Sequence, residues 1–576
     1  MCIHWFGSAT REESCHFGSL AVVAPLLERM GIADIIDRHL PADPQAEYAH
    51  GPLLTLLLAA RLAHPVALSN VPDWAQRSGA SFLWDIPPDK LNDDRLGRAL
   101  DAFYYQRHSI LASVALHVAQ AFDVSLERLH YDPTHIVLHG NYAQSQPRSD
   151  PAVDGLRPYA DDPPAHITFG HNVPNTKLIQ VGLSVVVDAL GALPIFGHAT
   201  DGNHNGHSAI AEQLDLFREH LPRRRRLLIS DRGTFSAGHV ARCQREGFEV
   251  LCSAPWGDYR ALYDAQRTQL LWQQASYLSL EQQRRRACAS ALPREHYELA
   301  VLHHELIDPA THLPLPCRVL FVFSTADAKV SRASRDKAID RIRTGLEQLA
   351  RSVSAGRRNT DPASVARRVD RLFGRRGAAA HFRWELQPLT AQEQAALPTP
   401  DRGCRRATHR FVYHFDEAGA TAEAAYDGLS VLVTTAARSE SSDALFTEFK
   451  QQNEVELAHH QWKTPLAVHP VFLKNPRRVE ALVCLLLLAL MAYHLLQRLY
   501  RQQVEADAPQ TEKRTTTETI LRAFQSYTLV LERHPCGRVV HTTALTVRQR
   551  QILQRLNFPT PAQLLSRKLP HLPPSG

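Results

Sequence analysis

Apolar residues recur at helical spacing through the first part of the chain. Leu20 to Val23 with Leu26 and Leu27, then Met30 and Ile32, form one such run, and Leu53 to Leu62 after Gly51-Pro52 forms another. This period predicts amphipathic or buried helices. Asn92-Asp93-Asp94 precedes a third stretch, Arg95 to Tyr105. Asn and Asp side chains accept bonds from the free N–H groups of a first turn, so a helix start is predicted there. The pattern predicts an all-helical N-terminal domain over residues 1–125.

The period changes at residue 128. Arg128 to Leu138 is short, β-rich and partly alternating. Ile179 to Val187 and Ala192 to His198 are joined by Asp188-Ala189-Leu190-Gly191, whose Asp and Gly suit the positive φ of a hairpin turn. These three runs predict an antiparallel meander. A helix over Ser208–His220 follows, then a buried-type strand, Arg226–Ser230, ending in Asp231-Arg232-Gly233. Phe248–Cys252 reads as a further strand. Three antiparallel strands, a helix and then more strands is the order expected of an α/β core of RNase H-like type.

Residues 255–440 break that order. Strands at Arg318–Phe323, Arg410–Phe415 and Leu429–Thr434 alternate with arginine-rich helical stretches, Val330–Val353 and Ala363–Phe373, which predicts a large mixed insertion domain. Helix returns over Ser442–Lys463 and Arg477–Tyr500. A polar linker, Gln502–Thr515, leads to a small C-terminal unit. The expected division is therefore 1–125, 126–254, 255–440, 441–505 and 506–576, with the core split between the second and fourth pieces.

Composition narrows the classes. The chain of 576 residues is 44% hydrophobic and 22% charged, which is globular. Its 65 Lys and Arg against 59 Asp and Glu leave a formal charge of +6, which permits a polyanionic partner without requiring one. The 9 cysteines are scattered without a Cys-x-x-Cys pair, which points away from zinc sites and disulfide frameworks and towards a reducing cytosol. The apolar run Ala481–Tyr493 is shorter than the roughly 20 residues a membrane span needs, so a buried core helix is expected and no membrane partner. Among the 31 histidines, His130, His135, His166, His171, His198, His204, His207, His459 and His460 invite a zinc reading, but no His-Glu-x-x-His motif occurs. Arg223–Arg226, and a denser basic segment including Arg357, Arg358, Arg367, Arg368, Arg371, Arg375 and Arg376, are candidates for salt-sensitive phosphate contacts.

Three carboxylates stand where chemistry would need them. Asp132 lies inside an otherwise apolar strand, where a charge is costly unless solvated or paired. Asp231 follows a buried strand, and strand ends in α/β sheets are where ligand sites gather. Glu456 lies on a predicted helix with Lys463 two turns later on the same face, a spacing that an ordinary solvated helix face also gives. Phosphodiester transfer by in-line attack uses such converging carboxylates to hold hard divalent ions.

In three stretches the chain resembles the DDE transposases of bacterial insertion sequences, in the IS-four superfamily and its IS-sixteen-thirty-four branch. Leu129-His130-Tyr131-Asp132-Pro133-Thr134 is similar to the strand of the first aspartate, and Leu228-Ile229-Ser230-Asp231-Arg232-Gly233 to the second-aspartate motif. The third is the signature of Tyr, two residues, Arg, three residues, Glu, six residues and Lys. Here it reads Phe449, Gln452, Glu456 and Lys463, so the spacing fits and two letters differ. Further likeness runs through Gly170-His171-Asn172, Asp188 to Pro194, Asp201-Gly202-Asn203, the Leu91–Arg98 stretch and Asp427-Gly428-Leu429, covering roughly residues 15–560.

The resemblance implies an RNase H-like catalytic core with Asp132, Asp231 and Glu456 coordinating two Mg²⁺ ions, for which Mn²⁺ substitutes. It implies DNA contacts by Lys463, Gln452 and Phe449, with Thr134 and Arg232 supporting the carboxylates; Trp462, beside Lys463, is a candidate to stack on a displaced base or else a core residue. It also implies double-stranded DNA partners (terminal inverted repeats and target), a homodimer in the synaptic complex, end binding by the N-terminal domain and action in the bacterial cytoplasm. Two other functions use the same residues: an RNase H-like nuclease without strand transfer, and an inactive transposase-derived DNA-binding protein.

Overall fold

A computed structural model describes residues 11–147, 163–170, 177–188, 190–203, 206–222, 224–279, 295–356, 361–374, 377–399, 405–463, 466, 473–505, 507–534 and 537–568. His171, Asn172, His204, Arg223, Arg357, Arg358, Arg375 and Arg376 lie outside the described residues.

The N-terminal region is helical from Leu20 onward, but it opens with a strand, β1 (Arg11–Cys15), where only helices were expected. Its longest helix, α1 (Asp93–Ala121), starts as the sequence dictates: the Asn92 side chain accepts from the Arg95 N–H at 2.8 Å. It runs well past Tyr105, with Leu100, Phe103, Leu111 and Val114 facing the core.

A ten-stranded sheet forms the centre. Its first strands are β2 (Arg128–Val137), β3 (Thr168–Phe169), β4 (Lys177–Asp188) and β5 (Gly191–Thr200). Helix α2 (Gly206–His220) leads to β6 (Arg226–Ser230), and α3 (Ala237–Arg245) to β7 (Phe248–Ala254). β4 lies antiparallel between β2 and β5, as the meander pattern predicts. At the tip of that hairpin Asp188 pairs with Gly191, whose φ of 110° lies where side-chain-bearing residues rarely go. β2, β6 and β7 then run parallel, a connection that needs the two crossover helices.

The stretch 255–440 divides between two bodies. β8 (Gln273–Gln274), β9 (Tyr297–Ile307) and β10 (Pro314–Ser324) continue the central sheet. Helices Thr325–Ser354 and Pro362–Phe373, with the ribbon of β11 (Phe382–Pro388) and β12 (His409–Phe415), close around their own apolar core, which includes Ile342, Leu346, Val365, Phe382 and Phe411. β13 (Leu429–Thr434) returns to the sheet between β7 and β10. The excursion proper therefore leaves after β10 and ends at β13.

Two helices follow where one was expected over Ser442–Lys463. α4 (Ser442–Lys450) ends at Gln451, and α5 (Gln452–Lys463) starts anew. The next helix, α6 (Pro476–Gln502), is long and apolar enough to cross a membrane, and its apolar stretch is wholly buried. It packs on β5 on one side and on α1 and helix His50–Ala63 on the other, so it serves as the central core helix. A fully buried ion pair, Arg107 Nε to Glu480 Oε1 at 2.7 Å, joins α1 to it. Glu480 Oε2 also accepts from the Ala165 N–H at 2.7 Å. Arg498 and Asp188 pair at 2.6 Å, which anchors the β4–β5 turn and gives Asp188 a structural role.

The C-terminal unit returns to the start of the chain. β14 (Leu529–His534) and β15 (Gly537–Thr542) form a three-stranded sheet with β1. Helix Val547–Leu556 packs against α6, and helix Pro561–Lys568 against Ala80–Trp84.

Candidate carboxylate site

The parallel pairing of β2 with β6 ends at Tyr131 opposite Ser230. The next residue on each strand is an aspartate, so Asp132 and Asp231 sit side by side where neighbouring strands are about 4.8 Å apart. β6 is buried along its whole length, which fixes its position. Asp231 then leaves the strand and caps the short turn Arg232–Thr234, its Oδ1 accepting from the Gly233 N–H at 2.9 Å. Beneath it the buried Thr234 hydroxyl donates to Ser230 Oγ at 2.8 Å. The Asp231 carboxylate itself is exposed.

Helix α5 brings the third acid. Val455, Ala458, His459 and Trp462, at spacings of three and four, form the stripe that buries it against β2, β4 and β5. Glu456 is exposed beside that stripe, and Lys463 lies two turns on, half-buried.

Asp132 is the electrostatic centre. Burial, then the neighbouring Asp231 and Glu456, push its carboxyl up to about 7, against the opposing pull of Lys463. Burial draws the Lys463 ammonium down while Asp132 holds it up. All four groups therefore share one field. His459 Nδ1 stands 3.4 Å from Asp132 Oδ2. Burial, Lys463 and His135 lower this imidazole to about 3, so it is neutral at ordinary pH. Its Nε2 is buried and has no hydrogen-bond partner among the described residues.

The donor chemistry suits a hard divalent cation, because carboxylate oxygens are its preferred ligands. A bound cation also relieves what raises Asp132, a partly buried acid beside two like charges. The arrangement is open rather than closed. Among the described residues no group of three or more His, Cys, Asp and Glu stands close enough to hold a metal ion. Asp132 and Asp231 are register neighbours, and Glu456 faces them from the helix.

The remaining expected residues fall into three places. Lys463 belongs to the site. Thr134 is buried two residues beyond Asp132, with no hydrogen bond to it among the described residues, and Arg232 is exposed on the turn after Asp231. Phe449, Gln452 and Trp462 were expected to touch DNA, and their side chains are committed elsewhere. Phe449 packs against the apolar cluster of Leu445 and Phe446. Trp462 is fully buried, so no face of its ring is open to a base. Gln452 Oε1 is 3.1 Å from His130 Nδ1, and its Nε2 donates to the Tyr131 carbonyl at 3.3 Å.

His459 and His130 are the participants that sequence reasoning set aside. The signal for His459 was its position three residues after Glu456, which places it on the site-facing side of the helix. That for His130 was its place two residues before Asp132 on the same strand.

Residues 131–492, well over half of the chain, match the family model described as transposase DDE domain. Residues 13–116 match one described as a domain of unknown function (DUF4277). No curated protein gives a significant match to the chain.

Proposed function

The chain belongs to the transposase DDE domain family, and on that premise we propose that it cuts DNA at insertion-sequence ends and joins the freed 3′ ends to target DNA by in-line phosphoryl transfer. The carrying observation is the meeting of Asp132, Asp231, Glu456 and Lys463 in one electrostatic neighbourhood at the ends of two parallel strands. The catalytic carboxylates in this reading are Asp132, Asp231 and Glu456. Two divalent ions held by them, Mg²⁺ with Mn²⁺ as a substitute, would activate the attacking oxygen and stabilise the leaving one. The chain's own part is positional. Strand β2 and the end of β6 position two acids, and α5 presents the third. Lys463 offers a point charge to a phosphate near the cut end.

The strand order supports an RNase H-like core: an antiparallel meander, β2, β4 and β5, followed on the other flank of β2 by the parallel β6 and β7. The likeness of the three sequence motifs is what supports placing the chain in the IS-four superfamily and its IS-sixteen-thirty-four branch. Terminal inverted repeats and target DNA are the partners in this reading, with a homodimer holding two ends in the bacterial cytoplasm. The helical N-terminal region and the long excursion between β10 and β13 favour transposition over a simple nuclease, since holding two ends requires additional surface. A supercoiled plasmid carrying the cognate ends tests it. Integration products that vanish with Asp231→Asn are expected; nicked or linear DNA alone, or full activity of the variant, contradicts the reading.

A further inference from the structure

Gln452 is the first residue of α5, and both ends of its amide are engaged on β2. Its oxygen accepts from His130 Nδ1 at 3.1 Å and its nitrogen donates to the Tyr131 carbonyl at 3.3 Å. His130 is fully buried, so its ring is fixed by packing. Its other nitrogen stands 3.9 Å from Glu448 of α4, and Glu448 lies 3.7 Å from Arg128 of the same strand. The junction between α4 and α5 is thereby pinned to the strand that carries Asp132.

The offsets along the two elements match. From His130 to Asp132 the strand advances two residues, about 6.6 Å, on one face. From Gln452 to Glu456 the helix advances four residues, about 6 Å, again on one face. A second contact further along both elements, Asp132 to His459 at 3.4 Å, shows that helix and strand run in the same sense. The contacts at Gln452 and at His459, one on each side of Glu456 in the sequence, therefore hold the stretch of α5 that carries Glu456 alongside Asp132. A helix slip of one residue would shift Glu456 by about 1.5 Å and turn it by roughly 100°.

We propose that His130 and Gln452 form a clamp that sets the spacing between Asp132 and Glu456, and that Gln452 acts as a positioning residue rather than as a DNA contact. The inference rests on the carboxylate reading above. It assigns to this position a task opposite to the one its place in the sequence motif suggests, because the amide oxygen and one of the two amide N–H groups are already engaged on β2.

Gln452→Ala, His130→Ala and the double variant test it, with His130→Asn as the conservative form, since an Asn amide can donate from near the Nδ1 position. Three quantities are read: the turnover of end cleavage, the Kd for a duplex carrying the end, and the Mn²⁺ binding midpoint followed by its electron paramagnetic resonance signal. Gln452→Ala is expected to lower turnover by about 10–100-fold, because small misplacements of catalytic groups cost that much. It should raise the Mn²⁺ midpoint several-fold and leave the duplex Kd within about twofold. The double variant should be no worse than either single one, as residues acting through one contact are non-additive, and His130→Asn should keep most of the wild-type values. If His130→Ala does not fold, the half-buried Gln452 and His130→Asn still decide. An unchanged Mn²⁺ midpoint, or a duplex Kd raised fivefold or more with additive losses, overturns the clamp. Asp231→Asn, run alongside, separates the two claims. If it retains full activity, the carboxylate reading itself fails; if it is inactive while Gln452→Ala matches wild type, only the clamp fails.

Discussion

Asp132 and Asp231 stand at neighbouring positions one residue beyond Tyr131 and Ser230, the last paired residues of two parallel strands. Two like charges are thus fixed together by backbone pairing rather than by any attraction between them. Such a pair is costly without a cation, and Asp132, the more buried of the two, carries the cost.

A divalent cation should therefore stabilise the folded chain through these acids. Mg²⁺ or Mn²⁺ in large excess over its Kd is expected to raise the Tm by about 2–5 °C in wild type, through preferential binding to the native state. Asp132→Asn and Asp231→Asn should lose most of that rise. Differential scanning fluorimetry with and without chelator reads it, and an equal rise in all three proteins would place the cation elsewhere.

Trp462 separates a core role from a DNA-contact role. Its ring is fully buried, so Trp462→Ala is expected to cost about 3–5 kcal/mol of stability. Denaturant unfolding measures this. A variant as stable as wild type but weaker in DNA binding would return Trp462 to the interface.

How much of this was legible in the sequence differs from residue to residue. Asp132 and Asp231 were readable because each interrupts or ends a short apolar strand, a local sign. The stripe Val455, Ala458, His459 and Trp462 was also present in the spacing, and it predicts Trp462 inward. The break at Gln451 was not readable, since Ser442 to Lys463 carries neither Gly nor Pro. Nor was the pairing of β1 with β14, or of β13 with β7, because partners that distant leave no local trace. The engagement of Gln452 depends on a histidine more than three hundred residues away.

The Arg107–Glu480 pair should behave as a buried charge couple. Both side chains are about 1% exposed. Glu480→Gln leaves a buried guanidinium without its counter-charge and should destabilise by about 3–5 kcal/mol. Replacing both partners with apolar residues of similar volume should recover much of the loss. A double change that destabilises by the sum of the two single changes, measured by urea unfolding, would show that the pair is not coupled.

His494 supplies a pH dependence. Its Nδ1 donates to the Ala192 carbonyl at 2.8 Å, and burial lowers the ring to about 4. Above pH 6.5 the ring is neutral both folded and unfolded, so it contributes nothing to the pH slope. Between 6.5 and 4 the unfolded chain takes up the proton and the folded one does not, so stability falls as pH falls. From pH 7.5 to 4.5 this residue should account for about 2–3 kcal/mol of loss. His494→Asn, which keeps a donor and cannot titrate there, should lose that much less over the same range; identical losses would remove His494 as the cause.

The proposed chemistry requires three acids acting around shared metal, and Fe²⁺ in place of Mg²⁺ tests that directly. With ascorbate and peroxide, hydroxyl radicals generated at the bound iron cut the backbone nearby. Cuts clustered near Asp132, Asp231 and Glu456, suppressed by excess Mg²⁺, are the predicted result. Cutting near the two aspartates without any at Glu456 in the DNA-bound protein, or cutting only elsewhere, would contradict it.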